Sequence, residues 1–360
     1  MVPTSDEGVR WHTRAGRVTA GRMSAWVRDL TPGCCALVMA TGIVAAGLRL
    51  EGWRTVGNAL FAFAVCAFVA LVVATVWRLL RYRSRMVADE LNPSRSFGFF
   101  TVAAGANVVA DQWATINRRD VALVFLAVGA VLWLVLGYVL PLALIAGHGS
   151  RPALAGADGT WFLWVVATQS VVVAVTALPG RGPAWSAPVA VAGWSVGVVL
   201  YLAIAGLVLG RLFVYPVRVG QLSPSYWVFM GATAISALAG AQVLRLAHVP
   251  LATAVGPIVA GLSVVLLAFG TWAVPALIVQ SVRWEEARPP LLYAPDMWSI
   301  VFPVGMYGVA AHALGAALGV SWLSGLGLAV VWAGALLWAL VFCSMVGTSG
   351  VALVHAVRRG

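Results

Sequence analysis

The sequence predicts an all-α integral membrane protein that crosses the bilayer about ten times, as five repeated helical hairpins. Three observations carry this. Of 360 residues, 61% are apolar and 10% charged, with mean hydropathy +0.93, whereas soluble domains run at about 45–50% apolar and about 25% charged. So few charges cannot coat a soluble surface of this size. The apolar residues gather into stretches long enough to cross a bilayer core, which takes about 20 residues. One pattern of small and polar residues also returns at near-constant spacing in every second stretch. The 17 Trp fit the same class, since indole rings favour the headgroup region.

In chain order the expected spans are Pro32–Leu48, Gly57–Leu80, Phe97–Ala110, Val121–Ala146, Gly159–Leu178, Pro188–Gly210, Pro224–Val243, Leu251–Val279, Met297–Leu318 and Gly325–Val354. The third is short and ends at Asp111; the repeat requires it. The last two come from a stretch, Met297 to Val357, with no Asp, Glu, Lys or Arg. As one helix it would run about 90 Å at about 1.5 Å per residue. The hydrocarbon core is only about 30 Å thick, so the stretch folds back. Gly319 to Gly325 supplies the turn residues.

The repeat is read on the odd-numbered spans. Ala40, Ala103, Ala167, Ala232 and Pro303 are equivalent, at spacings of 63, 64, 65 and 71 residues. Pro32, Pro224 and Pro295 each lie eight residues before these positions, and Pro93 ten before. Proline suits a first helical position, where its missing N–H would have no intrahelical partner. Thr31, Asn92, Ser223 and Asp158 are candidate N-caps. Odd spans are rich in Gly, Ala, Thr and Ser and carry Asn107 and Gln169 at mid-depth; even spans are dominated by Val, Leu and Ala. Polar residues at mid-depth face a bundle interior or a watered path, and small residues also serve tight helix packing. Repetition in five spans favours a shared interior, which makes Thr41, Gly42, Gly105, Asn107, Thr168, Gln169, Thr233, Ser236, Pro303 and Gly305 candidate path-lining residues. The three threonines have a second option, hydrogen bonding back to their own helices.

All 23 basic residues are Arg, against 12 acidic ones, a formal net charge of +11. Arg clusters between spans, which makes the excess a topology signal rather than a nucleic-acid footprint. Seventeen Arg fall on one side and six on the other, placing both termini in the cytoplasm and requiring an even number of spans. The N-termini of the odd helices then point inward and, with the Arg excess, concentrate anions at the inner mouth. A cation path would place acids at mid-depth, and the odd spans hold none there.

The chain divides into a polar cytoplasmic tail, residues 1–24, and a transmembrane domain, residues 25–356; no cleavable signal peptide is expected. The four Cys form no ligand or disulfide framework, and Cys34–Cys35 read as small hydrophobes. Neither a catalytic cluster, a metal site, a phosphate-binding glycine motif nor a cofactor is expected. The expected partners are small anions and the lipid bilayer, with no nucleic acid, and the expected location is the cell membrane.

Three segments carry a resemblance: Pro32-Gly33-Cys34-Cys35-Ala36-Leu37-Val38-Met39-Ala40-Thr41-Gly42-Ile43-Val44, Asn92-Pro93-Ser94-Arg95-Ser96-Phe97-Gly98-Phe99-Phe100-Thr101, and Phe302-Pro303-Val304-Gly305. Over residues 25–355 the chain resembles the tellurite-resistance/C4-dicarboxylate transporter family, which includes plant slow-type anion channels, fungal malate carriers and fungal sulfite efflux pumps. The resemblance implies five hairpins around a central pore, a homotrimer, and an aromatic gate in the ninth helix, matched by Phe302 beside the helix-bending Pro303. Cys34-Cys35 departs from the family, where an aromatic commonly follows Pro-Gly. Transport of inorganic anions, C4-dicarboxylates, sulfite or tellurite-related species is the expected function, by channel or by proton-coupled carrier; a membrane enzyme is the lesser alternative. Arg95 suits either an inner-mouth anion contact or a headgroup anchor, and His312 either a proton carrier or a hydrogen-bonded packing residue.

Overall fold

The computed structural model describes residues 23–147, 152–178, 185–216, 221–246, 249–286 and 293–357. Nearly all of the expected cytoplasmic tail, and Arg151, Arg181, Arg218, Arg288, Arg358 and Arg359, lie outside the described residues.

The described chain is helical. Five short helices, α1 (Ala36–Leu50), α4 (Phe100–Thr115), α6 (Leu163–Thr176), α8 (Val228–Leu244) and α10 (Trp298–Leu318), alternate with five long ones. The long ones are α2 (Arg54–Arg81), α5 (Arg119–Ala146), α7 (Ser186–Val214), α9 (Pro250–Glu286) and α11 (Ser321–Val357). A further short helix, α3 (Arg83–Glu90), links α2 to α4. Among the described residues nine helices are long and apolar enough to cross a membrane. The expected third span, α4, is not one of them; Asn107, Asp111 and Gln112 dilute its apolar run. It is nonetheless longer than the sequence suggests, because the helix continues past Ala110 to Thr115 and a 3₁₀ turn at Ser96–Phe99 leads straight into it.

Every short helix opens on such a 3₁₀ turn: Pro32–Cys35, Ser96–Phe99, Gly159–Phe162, Pro224–Trp227 and Pro295–Met297. Three of the four expected prolines, Pro32, Pro224 and Pro295, stand at the start of theirs, while Pro93 precedes its turn by three residues. The caps differ from expectation. Asp158 accepts from the Thr160 N–H at 2.8 Å and Asn92 from the Ser94 N–H at 3.1 Å. Thr31 and Ser223 make no side-chain cap, and Ser223 instead shares a hydrogen bond with the Ser225 hydroxyl. The last fold-back is also tighter than Gly319–Gly325. Gly319 ends α10 in the left-handed conformation, φ 70°, and α11 begins at Ser321. Glycine adopts that φ without the Cβ clash other residues meet.

Burial separates the two sets. Among the helices long enough to span, the short ones are 67–83% buried along their apolar stretch and the long ones 17–39%. Each short helix packs on the long helix that follows it, and the short helices touch one another in the order α1, α4, α6, α8, α10, with α10 returning to α1. Each long helix also reaches the next short helix, α11 closing on α1. Exposed Val, Leu and Ile cover the outward faces of the long helices.

Several tryptophans serve packing inside the protein, while others, among them Trp26, Trp53 and Trp322, are exposed. Trp161, Trp194, Trp227, Trp284 and Trp298 are buried. Indole N–H groups also tie one pair to the next: Trp338 of α11 donates to Thr41 of α1, Trp133 of α5 to Thr168 of α6, and Trp194 of α7 to the Ser236 carbonyl of α8. A buried indole N–H requires an acceptor, so these rings fix the lateral packing as well as filling it.

Candidate functional site

Two cavities lie at opposite ends of the five short helices. The lower, about 280 Å³, sits among their opening turns and is bordered by Ala36, Thr101, Leu163, Ser225 and Ser299, one residue from each helix or its opening turn. The upper, about 560 Å³, sits at their C-terminal ends and is bordered by Ile43, Val108, Ser170, Ile235 and Met306, again one from each.

The numbering of these borders is informative. On four helices the lower and upper residues are seven apart: 36 and 43, 101 and 108, 163 and 170, 299 and 306. Seven residues are two helical turns, so both residues share one face, separated by about 10 Å at about 1.5 Å per residue. The same face therefore runs from one cavity to the other on each of these helices. Midway along it stand Met39 and Ala40, Ala104, Val166 and Ala167, and Phe302, all buried. Phe302 is 2% exposed and is the bulkiest of them. Its ring and that of Pro303 press on Gly231 of α8, where a Cβ would stand 3.3 Å from Phe302 and 3.0 Å from Pro303. Phe302 thus lies buried between the residues of α10 that border the two cavities.

The structure disperses most of the other candidates. Of the expected lining residues only Asn107 borders either of these two cavities. Thr41, Thr168, Thr233 and Ser236 donate their hydroxyls to carbonyls of their own helices, those of Leu37, Trp164, Met230 and Ala232. Gln169 donates to the Trp194 carbonyl of α7, Gly42 abuts Val108, Gly105 faces Phe68 of α2, and Gly305 lies against Ile43 and Gly334. The reason is a recurrent notch. Gly129, Gly197 and Gly270, each on the long helix paired with that short one, have no room for a Cβ because Asn107, Gln169 and Thr233 occupy the space. Polar groups at mid-depth therefore serve helix–helix seams. Period and polarity identify them as interior but do not say which interior face they take.

Electrostatics distinguish the two ends. Arg95 borders the lower cavity, but its Nε lies 2.9 Å from Asp89, which also takes Arg78 Nη2 at 2.6 Å. Asp158 and Asp296 border the same cavity. Burial pushes the Asp158 carboxyl up to about 7, reinforced by Asp296 and opposed by Thr160 donors and Arg211. The upper cavity carries Arg49, Arg54 and Arg245 against one carboxylate, Asp111. The upper cavity thus gathers three arginines at its border, although that side carries the minority of the chain's Arg. These three arginines were legible only as the minority side of the topology count; their position at or just past the ends of short spans was the available signal. His312 borders the upper cavity and shares a 3.0 Å hydrogen bond between Nδ1 and the Ser324 hydroxyl of α11. Among the described residues no group of three or more His, Cys, Asp or Glu could hold a metal ion.

Comparison with known proteins gives these features a family. An uncharacterized membrane protein of Mycobacterium tuberculosis is 44% identical over 148 residues, 41% of this chain and 75% of that protein. Two uncharacterized transporters of Methanocaldococcus jannaschii are 23% and 21% identical, over 87% and 86% of this chain and 92% of each relative. The family model described as SLAC1, voltage-dependent anion channel, matches residues 29–346. The chain is therefore a multi-pass membrane protein that belongs to the SLAC1 anion channel family, a family of transporters rather than enzymes.

Proposed function

We propose that the chain passes small anions along the axis shared by its five short helices, with Phe302 as the gate. In this reading the five short–long pairs are repeated hairpins around that path, α4 makes the tenth crossing, and residues 25–356 form the transport domain. The observation that carries it is the shared face on α10: Ser299 borders the lower cavity, Met306 the upper, and Phe302 is buried between them. The 17:6 division of Arg puts both termini, and with them the lower cavity, in the cytoplasm of the cell membrane. Asn107 lines the path and Arg95 stands at its inner mouth; the threonines hold the helices that form it. A homotrimer follows from the family resemblance. A second reading, a proton-coupled carrier for a dicarboxylate, is favoured by His312 at the rim of the upper cavity. The substrate lies among inorganic anions, C4-dicarboxylates, sulfite and tellurite-related species.

The test is flux through reconstituted proteoliposomes against a panel of these anions, with and without a pH gradient. Replacing Phe302 by Ala removes the bulkiest side chain of the closed zone and raises flux several-fold. Flux that needs the pH gradient selects the carrier. Unchanged flux in Phe302→Ala sinks the gate.

A further inference from the structure

The segment joining α2 to α4 carries an unbalanced charge at the protein surface. Residues 78–95 hold five arginines against Asp89 and Glu90, a formal net charge of +3. Asp89 takes Arg78 with one oxygen and Arg95 with the other. Arg81, Arg83 and Arg85 are exposed and, among the described residues, form no ion pair. Half-buried Glu90 lies near Arg83, and Asp29 near Arg85, but Asp29 is already paired with Arg28 at 2.8 Å. Helix ends reduce this charge without cancelling it. The carbonyl ends of α2, α3 and α5 carry about half a negative charge each and the N–H end of α3 about half a positive one, about one negative charge in all. About two positive charges remain.

Position gives that charge a partner. Arg78, on the last turn of α2, donates to Asp89 of α3 at 2.6 Å. At the other end of α3, a Cβ on Gly147, just past α5, would stand 2.7 Å from Leu91 Cδ2. So α3 lies across the C-terminal ends of two long helices whose outward faces meet lipid. Arg83, Val87 and Leu91 fall four residues apart on one stripe of α3, all exposed. Trp77, Leu80 and Arg81 form a second exposed stripe at the end of α2. Each stripe sets apolar side chains beside a guanidinium, the pairing suited to the depth where acyl chains give way to headgroups.

We propose that this ledge, the end of α2 together with α3, binds the headgroup of an anionic phospholipid. Arg81 and Arg83 meet the phosphate, and Leu80, Val87 and Leu91 lie against the acyl chains. Asp89 of the same helix holds Arg95 at the border of the lower cavity, so a lipid that steadies α3 also steadies a residue of that cavity.

The experiment is thermal melting of the purified full chain in dodecyl maltoside, titrated with phosphatidylglycerol or phosphatidylcholine of matched acyl chains. Phosphatidylglycerol protects at about tenfold lower concentration, the scale of one or two arginines near a charged surface. Salt at about 1 M removes the difference. Arg81→Gln with Arg83→Gln erases the preference, whereas Arg118→Gln with Arg119→Gln, at the far end of α5, removes as many arginines and keeps it. Equal protection by the two lipids overturns the site, a comparison made on the unmodified protein and so independent of how any variant folds. A preference that survives in the Arg81 and Arg83 variant, or is lost equally in the Arg118 and Arg119 variant, also overturns it. Equal protection by soluble glycerol phosphate overturns the lipid as the source of the phosphate. No flux is read, so the outcome is separate from that of the anion path.

Discussion

Asp158 makes the lower mouth sensitive to pH. Its carboxyl titrates near 7, held up by burial and by Asp296 against the pull of Thr160 and Arg211. The sign follows directly. Below 7 the carboxyl is neutral and does not oppose an anion in the lower cavity; above 7 it is charged and does. Between pH 6 and pH 8 its ionised fraction moves from about 9% to about 91%. A charge about 8 Å from a permeating anion costs about 0.5 kcal/mol at water-like screening and about 2 kcal/mol at an effective dielectric of about 20. Weighted by the ionised fraction, occupancy of the lower cavity therefore falls by about 2-fold to about 8-fold over that interval. The assay is nitrate flux in proteoliposomes at matched internal and external pH. The control is Asp158→Asn, which keeps an oxygen for the Thr160 N–H and hydroxyl that Asp158 now accepts. Flux in the unmodified protein declines from pH 6 to pH 8, while the variant stays flat. A decline that persists unchanged in Asp158→Asn, or flux that rises with pH, refutes the reasoning.

Two further outcomes test the packing that holds the path. Asp89→Asn leaves Arg78, whose side chain is 5% exposed, without its counter-charge, and lowers stability by about 3–5 kcal/mol, seen as a drop in the detergent-phase melting temperature. Gly327→Ala forces a Cβ into the backbone of His312 across the α10–α11 seam and costs about 1–3 kcal/mol. In the same melting assay Gly325→Ala, which meets nothing within 4 Å, is neutral or gains up to about 1 kcal/mol from helix propensity.

Class and approximate span positions were legible in the chain because a bilayer dictates both composition and segment length. Alternation was legible too. Helices buried among neighbours select Gly, Ala and Thr, and helices facing lipid select Val and Leu, so the odd–even contrast survives in the sequence. The proline starts were visible for the same local reason, being features of neighbouring residues, whereas Phe302 was singled out only through the family resemblance.

What depended on tertiary structure is which way interior side chains turn. Thr41 and Thr168 lie on the most buried helices, yet each accepts a tryptophan N–H from a long helix rather than facing a cavity. No local pattern separates those outcomes, since both place a polar residue at mid-depth. The charge distribution was likewise hidden. Arg245 lies almost 200 residues from the neighbouring pair Arg49 and Arg54, and joins them at one cavity only when α8 packs beside α10 and α10 returns to α1. Sequence alone determined that the chain is a multi-pass membrane protein with two kinds of helix, because solvent and lipid act on each segment separately. Only the closing of the ring decided which faces meet, since that depends on contacts between residues up to 297 positions apart, as in Thr41 and Trp338.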